Sequence, residues 1–296
     1  MTRFRRLAWA AAVCTYLLIV LGAIVRITGS GLGCGDHWPL CNGHLFPPLD
    51  DIGTVIEWSH RLVAALVSIL VAALAGYASW LRTGARSTEQ DVPGQMAYVA
   101  LALLVVQIVL GAITVKLELP PWSVVLHLGT AMLLLATLLI AATGRVGAQH
   151  AAPLPVTVLV LAFVTVLFGA LSANLGAAAA CHGFPLCNGQ VWITAGPLAL
   201  IQWIHRLLAY SLAIAALVWA VRAPQRGPKV VLGLVVLQIG IGAAIVLLGL
   251  PSGLRAAHVA VGAAVWAGAV LVALAWPQND TAPERFPGPR TDLQNN

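Results

Sequence analysis

The chain has 296 residues, of which 60% are hydrophobic and only 9% are charged, with a mean hydropathy of +0.91. Soluble domains carry about 25% charged residues, so this composition excludes an ordinary soluble enzyme, a disordered chain and a nucleic-acid binder. The formal net charge of +6 is not a polyanion-binding patch, because the basic residues lie mostly between long apolar runs and read as topology signals.

A spanning helix needs about 20 mostly apolar residues. Eight stretches have that length, roughly 7–28, 57–81, 95–116, 122–143, 153–175, 201–222, 229–250 and 255–276. The first follows Arg3, Arg5 and Arg6, as a signal peptide would. It is too long for one, and no small-residue cleavage site precedes polar sequence, so it is read as a span. Arg3, Arg5, Arg6, Arg82, Arg86, Arg145, Arg222, Arg226, Lys229, Arg285 and Arg290 fall on one side, whereas loops 30–56 and 177–200 hold no Lys or Arg. The positive-inside rule then places both termini in the cytoplasm and the long loops outside. The tail 277–296 is polar and Pro-rich and is expected to be disordered.

The sequence repeats internally. Gly22-Ala23 and Cys34 recur 147 residues on as Gly169-Ala170 and Cys181. Trp38-Pro39-Leu40-Cys41-Asn42-Gly43 recurs at a shift of 146 as Phe184-Pro185-Leu186-Cys187-Asn188-Gly189. Glu57-Trp58-Ser59-His60-Arg61-Leu62 recurs at a shift of 145 as Gln202-Trp203-Ile204-His205-Arg206-Leu207. Gln107-Ile108 with Gly111-Ala112, and His127, recur at a shift of 131 as Gln238-Ile239 with Gly242-Ala243, and His258. Four spans per copy imply parallel copies about an axis along the membrane normal. The expected fold is an all-α integral membrane protein of eight transmembrane helices in two pseudo-symmetric four-helix bundles, 1–150 and 151–276.

Of eight histidines, His37, His44, His150 and His182 fall in loops and read as solvated bystanders. His60, His127, His205 and His258 fall a few residues into even-numbered spans, near the outer face. An ionisable side chain at membrane depth is a functional candidate, and four at matched positions are poorly explained as bridging hydrogen bonds alone. The second and fourth spans of each copy run in one direction, so their histidines can face each other across a bundle core. A catalytic zinc would want a third protein ligand, and carboxylates and thiolates are scarce at that depth. Haem needs two axial ligands, which suits His60 with His127 and His205 with His258. Arg61 and Arg206 directly follow two of these histidines and either neutralise haem propionates or snorkel to the interface.

The copies differ at Glu57, one helical turn before His60, whose mate Gln202 cannot ionise. This suggests that the first site handles protons and the second electrons; the bland alternative is a carboxylate favoured at a helix start. Cys34 and Cys41 flank one outer loop and Cys181 and Cys187 the other, so in an oxidising compartment two disulfides are expected. A zinc reading of these spacings is weaker, a redox role for Cys34–Cys41 stays open, and Cys14 reads as a small core residue.

These residues together resemble the haem A synthase family. The likeness covers residues 1–276 and rests on the Gly-rich approach to Cys34, the Trp-Pro-Leu-Cys-Asn-Gly segment, Glu57-x-x-His60-Arg61, His205-Arg206, His127 and His258. The resemblance implies that haem O is the substrate, held by His60 and His127, and that haem b is the cofactor, held by His205 and His258. It implies that Glu57 is the catalytic acid, that Cys34–Cys41 and Cys181–Cys187 are disulfides, and that a ring methyl (C8) is oxidised to a formyl group. It further implies haem O synthase (protohaem farnesyltransferase) and oxidase assembly factors as partners. The short N-terminus without an Arg/Ser-rich transit segment points to a bacterial plasma membrane. The main rival is a di-haem b electron-transfer cytochrome; a transporter is a weaker rival, because the polar residues cluster near the outer face.

Overall fold

The computed structural model describes residues 2–36, 38–48, 50–83, 92–144, 153–192 and 196–275. His37, Arg86, Arg145, His150 and the tail 277–296 lie outside them.

Eight long helices follow in chain order: α1 Arg3–Ile27, α2 Ile52–Thr83, α3 Val92–Lys116, α4 Pro121–Thr143, α5 Pro153–Asn174, α6 Pro197–Arg222, α7 Arg226–Leu247 and α8 Ser252–Ala275. Each is long and apolar enough to cross a bilayer, where only helices and closed barrels satisfy their own backbone. The protein is therefore an all-α, multi-pass membrane protein. Among the described residues the only β-pairing is two isolated bridges within loops.

Several helix ends follow from sequence punctuation. Pro121 and Pro197 stand in the first turns of α4 and α6, where a missing N–H does no harm. Gly144 closes α4 at φ 67°, a left-handed C-terminal cap. Asp51 starts α2: its Oδ2 accepts from the Thr54 N–H at 2.7 Å and the Thr54 hydroxyl at 2.9 Å. These bonds, the backbone one foremost, hold the Asp51 carboxyl below the usual carboxylate range. The cap is thus complete above about pH 4 and fades as pH falls through the lowered value. Asp51 and Pro197 start α2 and α6 several residues earlier than the apolar runs predict. Glu57 consequently lies in the second turn of α2, not at a solvated helix start.

Within 3–143 each helix packs on the next, and α1 also packs on α4; α5 to α8 pack likewise, with α5 against α8. The two four-helix groups meet along α1, α4, α5 and α8. Buried alanines on these helices, among them Ala8, Ala11, Ala141 and Ala263, let the backbones approach closely, as packing in lipid requires. Among the described residues Arg26 Nη1 donates across the seam to the Ala173 carbonyl at 3.0 Å, and two further hydrogen bonds cross it. The Tyr16 hydroxyl donates to the Ala260 carbonyl at 3.0 Å, and Trp266 Nε1 donates to the Met132 carbonyl at 2.8 Å.

The α1–α2 and α5–α6 loops, at one end of the molecule, share a plan. Each opens with a short 3₁₀ turn, Ser30–Leu32 and Ala177–Ala180. Each is closed by a disulfide, Cys34–Cys41 and Cys181–Cys187. Each then turns on Asn-Gly, with φ 49° and 80° at Asn42-Gly43 and 53° and 74° at Asn188-Gly189. Two positive φ values in succession define a type I′ turn, which selects this dipeptide. The Asn side chains reach back to the 3₁₀ segment: Asn42 Nδ2 donates to the Gly33 carbonyl at 3.2 Å and Asn188 Nδ2 to the Ala180 carbonyl at 3.1 Å.

Gly33 is also where the first loop meets α2. A Cβ there would stand 2.5 Å from the Gly53 carbonyl carbon, backbone that cannot swing aside. Gly33→Ala is expected to destabilise the protein by roughly 1–3 kcal/mol, read as a lower thermal-unfolding midpoint in detergent. Gly76→Ala, in open space on α2, should instead gain up to about 1 kcal/mol.

Candidate functional site

His60 and His205 each lie eight residues past the first residue of their helices, and His127 and His258 six. At about 1.5 Å rise per residue all four stand at a similar depth below the loop end. The structure brings His60 close enough to His127, and His205 close enough to His258, for direct electrostatic interaction. His44 and His182 are exposed loop residues, and Cys14 is a half-buried free thiol in α1.

Each imidazole lies against a glycine of the preceding helix. A Cβ at Gly22, Gly111, Gly169 or Gly242 would stand 3.2, 3.3, 2.8 or 3.1 Å from the Cε1 of His60, His127, His205 or His258, respectively. The four glycines are thus seats for four rings. The repeat marks these glycines in the sequence, and Gly-rich helices suit a flat macrocycle, but their contact with the rings is visible only in the fold.

The seat of His205 fixes its tautomer. Its Nδ1 lies 3.1 Å from the Thr165 carbonyl, one turn before Gly169. A carbonyl only accepts, so Nδ1 carries the proton and Nε2 keeps its lone pair, as in a metal-ligating histidine. The Gln107 and Gln238 backbones stand in the same relation to Gly111 and Gly242 and lie beside His127 and His258. Those two rings' Nδ1 atoms, and His60 Nδ1, are buried with no hydrogen bond in the structure. Nε2 of His127 contacts Gln107 Nε2 at 3.0 Å.

The spacing in the second half tests the fit of a metalloporphyrin. The His205 and His258 ring centroids are 6.5 Å apart, with their planes at 73°. Metal–imidazole bonds of about 2.0 Å, extended by the roughly 1.2 Å from ring nitrogen to ring centre, would separate two axial rings by about 6.4 Å. The pair has the spacing for one axially held iron. Among the described residues no group of three or more His, Cys, Asp or Glu side chains could hold a metal ion.

Glu57 and Arg61 form a knot under the first loop. Glu57 is 3% exposed. Its Oε2 accepts from the Cys34 N–H at 2.8 Å, and its Oε1 accepts from Arg61 Nε at 3.1 Å and Nη2 at 2.5 Å. Arg61 Nη1 donates to the Leu40 carbonyl at 2.5 Å. In the second half Gln202 turns away and accepts from Ser172 Oγ of α5. Arg206 is then left to bind loop carbonyls alone: Nη1 donates to Gly183 and Leu186 at 2.9 and 2.8 Å, and Nη2 to Cys181 at 2.9 Å. Both arginines expected to meet propionates or snorkel are therefore engaged in tethering the disulfide loops.

Fold and site together define a multi-pass helical membrane protein with a half-buried imidazole pair in each four-helix group. The family model described as cytochrome oxidase assembly protein, COX15-CtaA, matches residues 5–270. The chain is 31% identical over 264 residues to Heme A synthase of Bacillus licheniformis, covering 81% of this chain and 85% of that one. It is 32% identical over 269 residues to Heme A synthase of Geobacillus kaustophilus, covering 82% of each chain. To Heme A synthase of Alkalihalophilus pseudofirmus it is 33% identical over 216 residues, covering 68% and 71%. The chain belongs to the COX15-CtaA family of cytochrome oxidase assembly proteins.

The glycine seats make a direct prediction. Gly169→Ala must displace the His205 ring, so purified protein should carry less iron porphyrin, read from the Soret band relative to protein. Gly233→Ala on α7, where a Cβ meets nothing within 4 Å, should leave the band unchanged.

Proposed function

We propose that the protein is a haem A synthase, an oxidoreductase that converts the C8 ring methyl of haem O to a formyl group by two successive oxidations and loss of water from a diol. The carrying observation is the pair of half-buried imidazoles in each helix group, each ring against a glycine of the preceding helix. Haem O is the substrate of the first group, between His60 and His127. Haem b, held by His205 and His258, would supply one-electron redox chemistry there when bound.

The differences between the halves support this division. The Thr165 carbonyl sets the His205 tautomer, and the His205 ring centroid lies 6.5 Å from that of His258, a separation that supports a resident cofactor between them. In the first half Nε2 of His127 contacts the Gln107 side chain and must leave it to take an axial position, which suits a molecule that comes and goes. Only the first half has a carboxylate, Glu57, one turn from the first-site histidine. Arg61 and the Cys34 N–H fix that carboxylate, which we assign the acid–base role. The halves are read as parallel copies, with the disulfide loops outside a bacterial plasma membrane and both termini in the cytoplasm. The farnesyltransferase that makes haem O and the oxidase assembly route are the partners of this reading.

Coexpression with a haem O producer, followed by chromatography of extracted haems, should yield haem A with this chain and none without it. Recovery of haem b alone would favour a di-haem electron-transfer cytochrome, and a colourless protein would defeat both.

Glu57→Gln isolates the acid–base role. Gln202 occupies the equivalent place, so an amide is compatible with the local fold. The variant should retain its pigment and lose at least about 100-fold in haem A formation; an unchanged rate would remove Glu57 from the chemistry.

A further inference from the structure

Two cations at the seam have no mates in the repeat. Arg26, in the last turn of α1, corresponds at the shift of 147 to Ala173; Arg255, in the first turn of α8, corresponds at the shift of 131 to Val124. Both arginines are half-buried. Arg26 lies close enough to Arg255 for direct charge repulsion.

Their places relative to the second imidazole pair are fixed by helix geometry. Arg255 precedes His258 by three residues, so it shares a face of α8 and stands about one turn nearer the loop end. Arg26 reaches out of its own half: Nη1 donates to the Ala173 carbonyl at 3.0 Å. Ala173 stands one turn beyond Gly169, the seat of His205. Both guanidinium groups thus come together one turn above the His205–His258 pair.

They are short of partners there. The bond to Ala173 is the hydrogen bond found for the Arg26 guanidinium, and none is found for that of Arg255, among the described residues. Nor does a carboxylate among those residues lie within ion-pair distance of either. Two half-buried guanidinium groups with donors to spare, one turn above the imidazole pair, offer an anion charge-assisted hydrogen bonds from both sides of the seam. Arg61 and Arg206, the other arginines at this end of the site helices, are already engaged with the loops.

We propose that Arg26 and Arg255 form a carboxylate clamp for the porphyrin held by His205 and His258, with the first half of the chain contributing one of its two jaws. The inference rests on the haem reading of that histidine pair. It deepens it by explaining residence: the mates Ala173 and Val124 build no such clamp above His60 and His127, where a substrate has to leave. The anion chemistry is an oxyacid group, and the two sources are a porphyrin carboxylate and a lipid phosphate at the membrane surface; the position above the imidazole pair favours the porphyrin.

The test uses the full-length protein, stripped of pigment and placed in phosphatidylcholine nanodiscs. It is titrated with protohaem and with protohaem dimethyl ester while the Soret band is followed. Wild type should take up two equivalents, one of which prefers the diacid by about tenfold or more, the scale of a charge-assisted pair. Arg26→Gln combined with Arg255→Gln should erase that preference while the other equivalent binds unchanged, which also reports a folded protein. Arg26→Lys combined with Arg255→Lys should keep part of it, since charge remains without the fork. A preference that survives in the glutamine pair, or equal affinity for diacid and ester in wild type, would overturn the clamp. So would a wild-type preference that vanishes in phosphatidylglycerol discs, because lipid phosphate would then be the anion the pair selects. A wild type that takes up neither porphyrin would sink the histidine-pair reading itself.

Discussion

A neutral imidazole placed several residues inside a membrane helix has two polar nitrogens and almost nothing polar around it. Leaving such atoms unpaired in an apolar medium costs several kcal/mol. Here the rings are received by glycines on the preceding helices, and around three of them the backbone one turn earlier on the glycine's helix lies alongside. A glycine inside a helix forgoes up to about 1 kcal/mol relative to alanine. Four occur where a side chain would strike an imidazole. The close approach of α1 to α2, α3 to α4, α5 to α6 and α7 to α8 at this depth follows from that one contact.

The residue after a site histidine then does separate work. Successive helix residues are rotated by about 100°, so in each His-Arg dipeptide the imidazole and the guanidinium point different ways. His60 and His205 turn to their glycines, and Arg61 and Arg206 turn to the Leu40 and Leu186 carbonyls of their disulfide loops. The loops are therefore braced from the helices that carry the site ligands. A movement of α2 or α6 that shifted an imidazole would be felt at Cys34–Cys41 or Cys181–Cys187, and the reverse also holds.

Much of this was legible in the sequence, because the bilayer reduces fold prediction to counting apolar lengths. Eight spans, two helix groups, two loops each holding a cysteine pair and four deep histidines all follow from run length, periodicity and repetition. What escaped has particular causes. The starts of α2 and α6 were placed late because Asp51 and Pro197, not hydropathy, set them. The glycine seats were visible as conserved spacing between the copies, yet a small residue in a membrane helix has so common an explanation in packing that it carried no site signal. Arg61 and Arg206 read in the sequence as propionate partners or interfacial anchors, since nothing in a linear sequence says that a loop doubles back within reach of the next turn. Arg26 and Arg255 carry no repeat signal, because repetition marks what the copies share and not what only one of them has.

Those unshared residues are where the two halves part in chemistry. A duplicated frame with identical imidazole pairs would treat both porphyrins alike, so any division of labour has to come from side chains that break the repeat. On the proposed reading they break it in opposite senses. The first half adds a negative group, Glu57, paired with and fixed by Arg61, while Ala173 and Val124 stand at the repeat positions of Arg26 and Arg255. The second replaces that carboxylate with Gln202, turned aside to Ser172, and gathers two unneutralised cations from opposite sides of the seam. Cations near a porphyrin hold its carboxylates and favour its reduced state, both properties of a cofactor that stays and passes electrons. A fixed carboxylate with no competing clamp suits a porphyrin that must arrive, exchange protons and depart.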